Sequence, residues 1–286
     1  MKHVILIPVY NDWKSLNKLL IEIDKCLKDD PSFTTQILVI NDLSTEKCNL
    51  SNKNFSSIKK VEIINLNKNL GSQKSIAVGL NYLKKIKDNF FITVMDGDGE
   101  DNPYEIKKML NKAVKYENFV ITSNRKKRRE SILVVLLYRI HLIISFLFTF
   151  KWISFGNFTT FSSKNLVKLL SNNSSWYAHS SSVLKNCRIK RLYAKREKRY
   201  FDKSKLNMLS LMEHSLRVNV VFLPRIFIIS LIYSSVVFWA VRNFNLDYLI
   251  IFLILIFNIL LLFIRKKHYI KDLFDLDNLI DNIKSL

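Results

Sequence analysis

Residues 90–103 read FFITVMDGDGEDNP, an aromatic and β-branched run that stops at a cluster of carboxylates. Its first half has the composition of a short buried strand, which Gly97, Gly99 and Pro103 then bring to an end. Asp96, Asp98, Glu100, Asp101 and Asn102 follow within seven residues, in a chain with 45 Lys+Arg against 24 Asp+Glu and a formal net charge of +21. In an extended segment Asp96, Asp98 and Glu100 project to the same side. Hard oxygen ligands arranged in this way suit Mg2+ or Mn2+ holding a diphosphate. A solvated acidic turn capping a helix that begins near Pro103 accounts for the same residues, so at this level both readings stand.

Runs of the same kind precede this one: HVILIPV at 3–9, QILVIND at 36–42 and VEIINL at 61–66. Between them lie helical patterns over Trp13–Leu27 and Ser72–Ile86, and another follows over Pro103–Tyr116. Strand and helix alternating at this spacing predict an α/β fold with an open, mostly parallel sheet, whose ligands bind at the carboxyl ends of the strands. Those ends carry Pro8-Val9-Tyr10-Asn11-Asp12, then Asn41-Asp42-Leu43-Ser44, then the carboxylate cluster. With 49% hydrophobic residues the chain is no disordered basic arm. Its three cysteines, Cys26, Cys48 and Cys187, lie far apart without CxxC spacing and support neither a disulfide framework nor a zinc site.

The apolar residues concentrate toward the C-terminus. IFIISLIYSSVVFWAV at 226–241 and YLIIFLILIFNILLLFI at 248–264 carry no charge, and only RNFNLD at 242–247 separates them. With their flanks, each comes near the roughly 20 residues that cross a bilayer. We therefore expect a transmembrane hairpin over 218–265, with spans at about 222–242 and 247–264 and a cytoplasmic tail at 266–286. Arg217 and Arg225 before the hairpin, and Arg265, Lys266 and Lys267 after it, place both ends in the cytoplasm by the positive-inside rule. The opening MKHVILIPVYND has too short an apolar stretch for a signal peptide and reads as a strand. A third run, residues 132–153, holds Arg139 and His141 near its middle and follows RKKRR at 125–129. Charges at mid-depth are costly in hydrocarbon, which favours an interfacial helix or helix pair within a domain spanning 1–215; a third crossing is the rival. Since the basic runs flank apolar segments, they mark a lipid bilayer and not nucleic acid.

In order, IPVYND, VINDLS, NLGSQKSIAVGL and VMDGDGEDNP resemble the PxYNE, DDGS, NxG and DxD signatures of glycosyltransferase family 2 with the GT-A fold. RYFDKSK at 199–205 resembles the RYxGxSK signature of its polyprenyl-phosphate branch, the dolichol-phosphate mannosyltransferase-like enzymes that carry a C-terminal membrane hairpin. NLGSQKSIAVGL, MDGDGED and FGNF together are similar to a bacterial subgroup of that branch. The resemblance implies an inverting hexosyltransferase at the inner membrane, multi-pass and with its catalytic domain in the cytoplasm. Its donor is a UDP- or GDP-sugar, its acceptor is polyprenyl (undecaprenyl) phosphate, and its cofactor is Mg2+ or Mn2+; a homo-oligomer is left open. It assigns Pro8, Tyr10, Asp12, Asp42, Asn69, Gly71 and Asp96 to the nucleotide sugar, and Arg199, Ser204 and Lys205 to the acceptor phosphate. Asp98 and Glu100 become the metal ligands and, with Asp101, the catalytic set. Asn41 departs from the first Asp of DDGS, and Asp202 from the Gly of RYxGxSK.

Chemistry agrees with this assignment. Expelling a nucleoside diphosphate requires that its charge be neutralised, whereas a phosphate nucleophile is already anionic and needs no general base. His141, His179 and His214 are accordingly expected to be structural, with Asp101 in reserve as a base should the acceptor be a hydroxyl. The alternatives are transfer to another membrane lipid or lipid-linked saccharide, and a noncatalytic membrane scaffold. Ten Lys or Arg lie between Lys185 and Lys205, some solvated and some, led by Arg199 and Lys205, expected to clamp phosphate.

Overall fold

The structure, a computed structural model, describes residues 1–28, 31–50, 55–125, 132–195, 197–201, 208–240, 246–270 and 276–286. The chain divides into two compact units, one built from Met1–Arg128, Phe155–Ser204 and Asp272–Leu286, the other from Arg129–Ser154 and Lys205–Lys271.

The first unit is built on a single sheet. Its elements are β1 (Lys2–Val9), α1 (Trp13–Leu27), β2 (Thr34–Asn41), β3 (Ile58–Leu66), α2 (Ser72–Lys84), β4 (Phe91–Val94), α3 (Ile106–Lys115) and β5 (Phe119–Arg125). After α4 (Ile132–Thr149), which belongs to the second unit, come β6 (Phe155–Ser162), α5 (Leu166–Leu169), α6 (Ser174–Tyr177), α7 (His179–Asn186) and β7 (Arg188–Ala194). The strand order is β7-β5-β6-β4-β1-β2-β3-β8, with β8 at Ile280–Ser285. β4, β1, β2 and β3 run parallel, and β6 runs against β4. Apolar residues fill β1 because helices cover both faces of a parallel sheet. α1 buries Trp13, Leu16, Leu19, Leu20, Ile23 and Leu27, and α3 buries Ile106, Met109, Leu110 and Ala113, each at helical spacing. β2 and β3 lie to one side of β1 and β4 to the other, so the topological switch falls between β1 and β4. That is where residues 10–12 and 95–101 emerge.

A buried polar chain crosses the middle of this sheet. His3 on β1 places Nδ1 3.1 Å from Thr35 Oγ1 and Nε2 2.9 Å from Thr93 Oγ1, and Thr93 in turn lies 2.9 Å from Thr160 Oγ1. His3 is fully buried, and burial alone pushes its pKa down to about 3.

Residues 276–286 are more than a tail. β8 pairs antiparallel with β3, so the chain returns to the sheet after the second unit. Neighbouring strands bring Asn41, Asn65 and Asn282 into register. Asn41 Nδ2 donates to Asn65 Oδ1 and Asn65 Nδ2 donates to Asn282 Oδ1, each at 2.7 Å. An aspartate at 41 could only accept, so it could join this ladder only with both downstream amides turned round, whereas Asn41 donates into it as they stand. Asn41→Asp should therefore loosen β8 by about 1 kcal/mol, visible as faster amide exchange at 280–285 with the rest of the sheet unchanged. Unchanged exchange at β8 would disprove the ladder's role.

The second unit comprises α4, α8 (Met208–Val220), α9 (Leu223–Ala240) and α10 (Leu246–Lys267). Residues 132–153, expected within the 1–215 domain, cluster here because α4 packs on the later helices. Phe148 lies 5.5 Å from Tyr233 and 5.0 Å from Phe257 between ring centroids, and Tyr233 OH donates to Leu147 O at 2.8 Å. Its other face, with Leu136, Ile140, Ile143 and Leu147, is exposed. Among the described residues, α10 is the one helix long and apolar enough to cross a membrane, with mean hydropathy 2.8. Met208–Val220 and Leu223–Trp239 pass the same test only as a pair, bent by 89°. Asn258 on α10 donates to Ser230 Oγ on α9 at 2.8 Å, and both side chains are buried.

Candidate active site

Three loops at the carboxyl edge of the sheet build the site, and each is held by its own polar side chains. After β1, Asn11 adopts φ 47. Its Oδ1 accepts from Thr45 N at 2.8 Å and Glu46 N at 3.1 Å, tying this loop to the one after β2. Asp12 opens α1 without capping it through its side chain, which leaves the carboxylate for another partner.

That partner is Arg199, whose Nη2 bonds Asp12 Oδ2 and whose Nη1 donates to Asp98 Oδ2 at 3.1 Å. The three side chains are only 21%, 14% and 17% exposed for Arg199, Asp12 and Asp98, so solvent screens these pairs less than at an open surface. Residues 197–201 lie along the acidic loop, with Glu197 N donating to Glu100 O and Tyr200 N to Asp98 O, both at 3.0 Å. Gly99 makes the approach possible: its φ is +85°, and a Cβ there would fall 2.4 Å from the Tyr200 ring. Lys18 Nζ sits 4.5 Å from the centroid of that ring.

Inside the acidic loop, Asp98 Oδ1 accepts from Glu100 N at 3.0 Å and Asp101 Oδ2 accepts from Asp96 N at 3.0 Å. Asp96 Oδ1 accepts from Asn157 Nδ2 at 2.8 Å, Asn157 Oδ1 from Gln73 Nε2 at 3.0 Å, and Gln73 Oε1 from His179 N at 2.8 Å. His179 is fully buried, with Nε2 2.8 Å from Thr159 Oγ1, and burial pushes its pKa down to about 4.

The loop before α2 depends on Asp42. This buried carboxylate accepts from Leu70 N at 2.7 Å and Gly71 N at 2.8 Å, so it shapes the loop from beneath. Burial pushes its pKa above the usual carboxylate value, while the two amides, Ser75 and Lys74 pull the other way. Gly71 takes φ +81°, and a Cβ there would meet nothing within 4 Å, so conformation and not space calls for glycine.

The expected residues fall into groups. Asp12, Asp96, Asp98, Glu100 and Asp101 gather at the switch point, Asn69 and Tyr10 are exposed, and Pro8 is buried within β1. Arg199, expected at the acceptor phosphate, lies on the carboxylates assigned to donor and metal. Asp202, Ser204 and Lys205 lie outside the described residues. Gln73 and Asn157 had no expected role, although both stand inside the motifs NLGSQKS and FGNF. Positions 73, 96 and 157 are too distant in sequence for spacing to connect them.

Among the described residues, no three His, Cys, Asp or Glu side chains converge into a metal cage. The donor chemistry nonetheless suits Mg2+ or Mn2+, which bind through one or two carboxylates and complete their shells with phosphate oxygens and water.

A mostly parallel α/β sheet with carboxylate-bearing loops at its switch point is a frame that binds ligands at that edge. Residues 4–172, more than half of the chain, match the model of Glycosyl transferase family 2, and the chain belongs to that family. It is therefore a glycosyltransferase. Glucosyl-3-phosphoglycerate synthase from Mycobacterium tuberculosis, solved in complex with Mn2+ and UDP-glucose, is similar at 12% identity and TM-score 0.52, over 78% of each chain. S. aureus TarS residues 1–349, in complex with UDP-GlcNAc, matches at 16% identity and TM-score 0.49, over 86% of this chain and 75% of that one. At such identities the likeness is one of fold. No curated protein matches the sequence.

Proposed function

We propose that the protein transfers a sugar, with inversion, from a UDP- or GDP-sugar to polyprenyl phosphate at the cytoplasmic face of a bacterial inner membrane. One observation carries the reading: Arg199, first residue of the stretch resembling the lipid-phosphate signature, contacts Asp12 and Asp98 of the donor loops. Direct transfer needs acceptor and donor groups in one place, and this contact supports such an arrangement. Glucosyl-3-phosphoglycerate synthase, similar in fold, is solved with UDP-glucose and Mn2+, which supports the same donor class and cofactor here.

In this mechanism Asp12, Asp96 and the 69–71 loop bind and orient the nucleotide sugar. A divalent cation at Asp98 and Glu100 would neutralise charge on the departing diphosphate. Arg199 and the basic residues after it attract the acceptor phosphate. A phosphate oxygen attacks the sugar C1 from the face opposite the leaving group, and the nucleoside diphosphate departs with the bonding pair. No proton has to be removed. This agrees with His179 being buried against Thr159 and with Asp101, only 9% exposed, being engaged in holding Asp96 N.

Membrane anchoring by the second unit has separate support. α10 is long and apolar enough to cross. β8 lies in the same sheet as β1, so a single crossing would strand it on the far side; an even number satisfies the connectivity. The Asn258–Ser230 bond joins α10 to α9 as expected for two helices associating in lipid. The exposed apolar face of α4 suits the bilayer surface.

Membranes containing the full chain, supplied with radiolabelled UDP- and GDP-sugars, should yield lipid-extractable label that depends on added undecaprenyl phosphate. Label that requires a lipid-linked saccharide instead would overturn the acceptor, and no labelled lipid with any donor would overturn the reading.

A further inference from the structure

We propose that Asn157 is a positioning residue for the donor site, acting with Gln73 to orient the Asp96 carboxylate. The inference rests on the nucleotide-sugar reading of Asp96 and adds two residues to it.

Topology creates the contact. β6 runs against β4 with Val94 opposite Thr159, so two steps beyond the end of β4, Asp96 comes opposite Asn157. The hydrogen bonds then run in one direction only. His179 N, at the start of α7, is a backbone amide and can only donate, so Gln73 must turn Oε1 toward it at 2.8 Å. Gln73 thereby presents Nε2, and Asn157 must offer Oδ1 to it at 3.0 Å. That leaves Asn157 Nδ2 facing Asp96, where a carboxylate oxygen accepts at 2.8 Å. A single backbone N–H thus sets the polarity of two amides and ends on an acceptor. With Gln73 only 6% exposed, water has little access to substitute at that link.

The backbone of Asp96 is held independently, its N–H donating to Asp101 Oδ2 at 3.0 Å. Main chain and side chain are therefore both fixed, one from within the acidic loop and the other from β6. Thr159 adds support, donating from Oγ1 to Asn157 O at 3.2 Å. The chain joins the start of α2, just after the 69–71 loop, to the acidic loop. The motifs NLGSQKS and FGNF thereby act on one carboxylate. An Asp96 with its rotamer preset would meet a ribose or sugar hydroxyl without first having to be ordered.

The test is equilibrium binding of UDP and of GDP, each with Mn2+, to detergent-solubilised full-length protein, alongside thermal unfolding. Asn157→Ala should weaken binding of the preferred nucleotide by about 10-fold, the lower range for loss of a ligand-orienting partner, with the melting temperature little changed. Asp96→Ala should weaken it at least as much, and the double variant no more than Asp96→Ala alone, because Asn157 acts only through Asp96. Gln73→Glu should reproduce the Asn157→Ala loss despite its matching shape: with both its oxygens accepting, it forces the Asn157 amide to turn an oxygen toward Asp96. Full additivity in the double variant, or wild-type affinity in Asn157→Ala, overturns the positioning role while leaving the site intact. Wild-type affinity in Asp96→Ala, or binding of neither nucleotide to the native protein, overturns the donor-site reading and the inference with it.

Discussion

Asp98→Ala is expected to lower sugar transfer by about 10²–10³-fold, the usual cost of removing one preorganised group that stabilises charge developing in a transition state. Two roles converge on this side chain. Oδ1 accepts from Glu100 N and so shapes the loop, while Oδ2 faces Arg199. Asp98→Asn separates them: its amide oxygen can still accept from Glu100 N, but the negative charge is gone. If charge is what matters, both variants lose transfer to a similar extent and both melt near the native temperature. If loop shape is what matters, Asp98→Asn retains most activity. Undiminished lipid labelling in Asp98→Ala, with Mg2+ or Mn2+ supplied, would rule out the acidic loop as the reaction centre. Asp98 is only 17% exposed and shares Arg199 with Asp12, so its removal also leaves that arginine with one carboxylate partner fewer. A raised KM for the acceptor phosphate beside the lower kcat would register that change.

The features legible in the sequence were those that depend on local periodicity. The α1 pattern ran from Trp13 to Leu27, and the helix has those ends, because its apolar residues recur at helical spacing over four turns. The parallel strands were visible as apolar runs ending in polar residues, and the carboxylate cluster was conspicuous against so basic a chain. What escaped was set by register between distant segments. β8 reads IDNIKS, polar and mostly exposed, and nothing in its composition announces a strand; its place is set by pairing with β3 and by the amide ladder through Asn65. The bond from Asn157 to Asp96, with Gln73 behind Asn157, arises because β6 folds back on β4, and pairing across 61 residues leaves no periodic trace. Arg199 stands out in the sequence through its motif, whereas its partners Asp12 and Asp98 are brought to it by tertiary packing. α4 shows the same limit: its apolar character was plain, whereas its grouping with α9 and α10 depends on Phe148 and Tyr233.

The sheet unit should also be acid-labile, through two fully buried histidines. His3 and His179 are fully buried, and desolvation lowers their pKa values from 6.5 to about 3 and about 4. Their hydrogen-bond and ring partners among the described residues are uncharged: His3 faces the hydroxyls of Thr35 and Thr93 and the edge of Phe33, and His179 faces Thr159. Above pH 6.5 neither the folded nor the unfolded chain protonates them, and stability is unaffected. Below 6.5 the unfolded chain takes up two protons that the folded chain refuses, so stability falls with pH until the folded values are reached. Each histidine contributes about 1.4 kcal/mol per pH unit in that window. Over two units the pair amounts to on the order of 5 kcal/mol, comparable with the whole stability of an ordinary domain. The carboxylate of Asp42, whose pKa is raised, works in the opposite direction, and those of Asp24 and Glu62, whose pKa values are lowered, work in the same one. The histidine share is therefore isolated by substitution. In detergent-solubilised full-length protein, the melting temperature should drop steadily from pH 6.5 to 4.5. His3→Gln and His179→Gln should each flatten that slope, since glutamine takes up no proton in either state, even where they lower stability at pH 7. An unaltered slope in both variants would show that acid lability, if present, comes from the carboxylates alone.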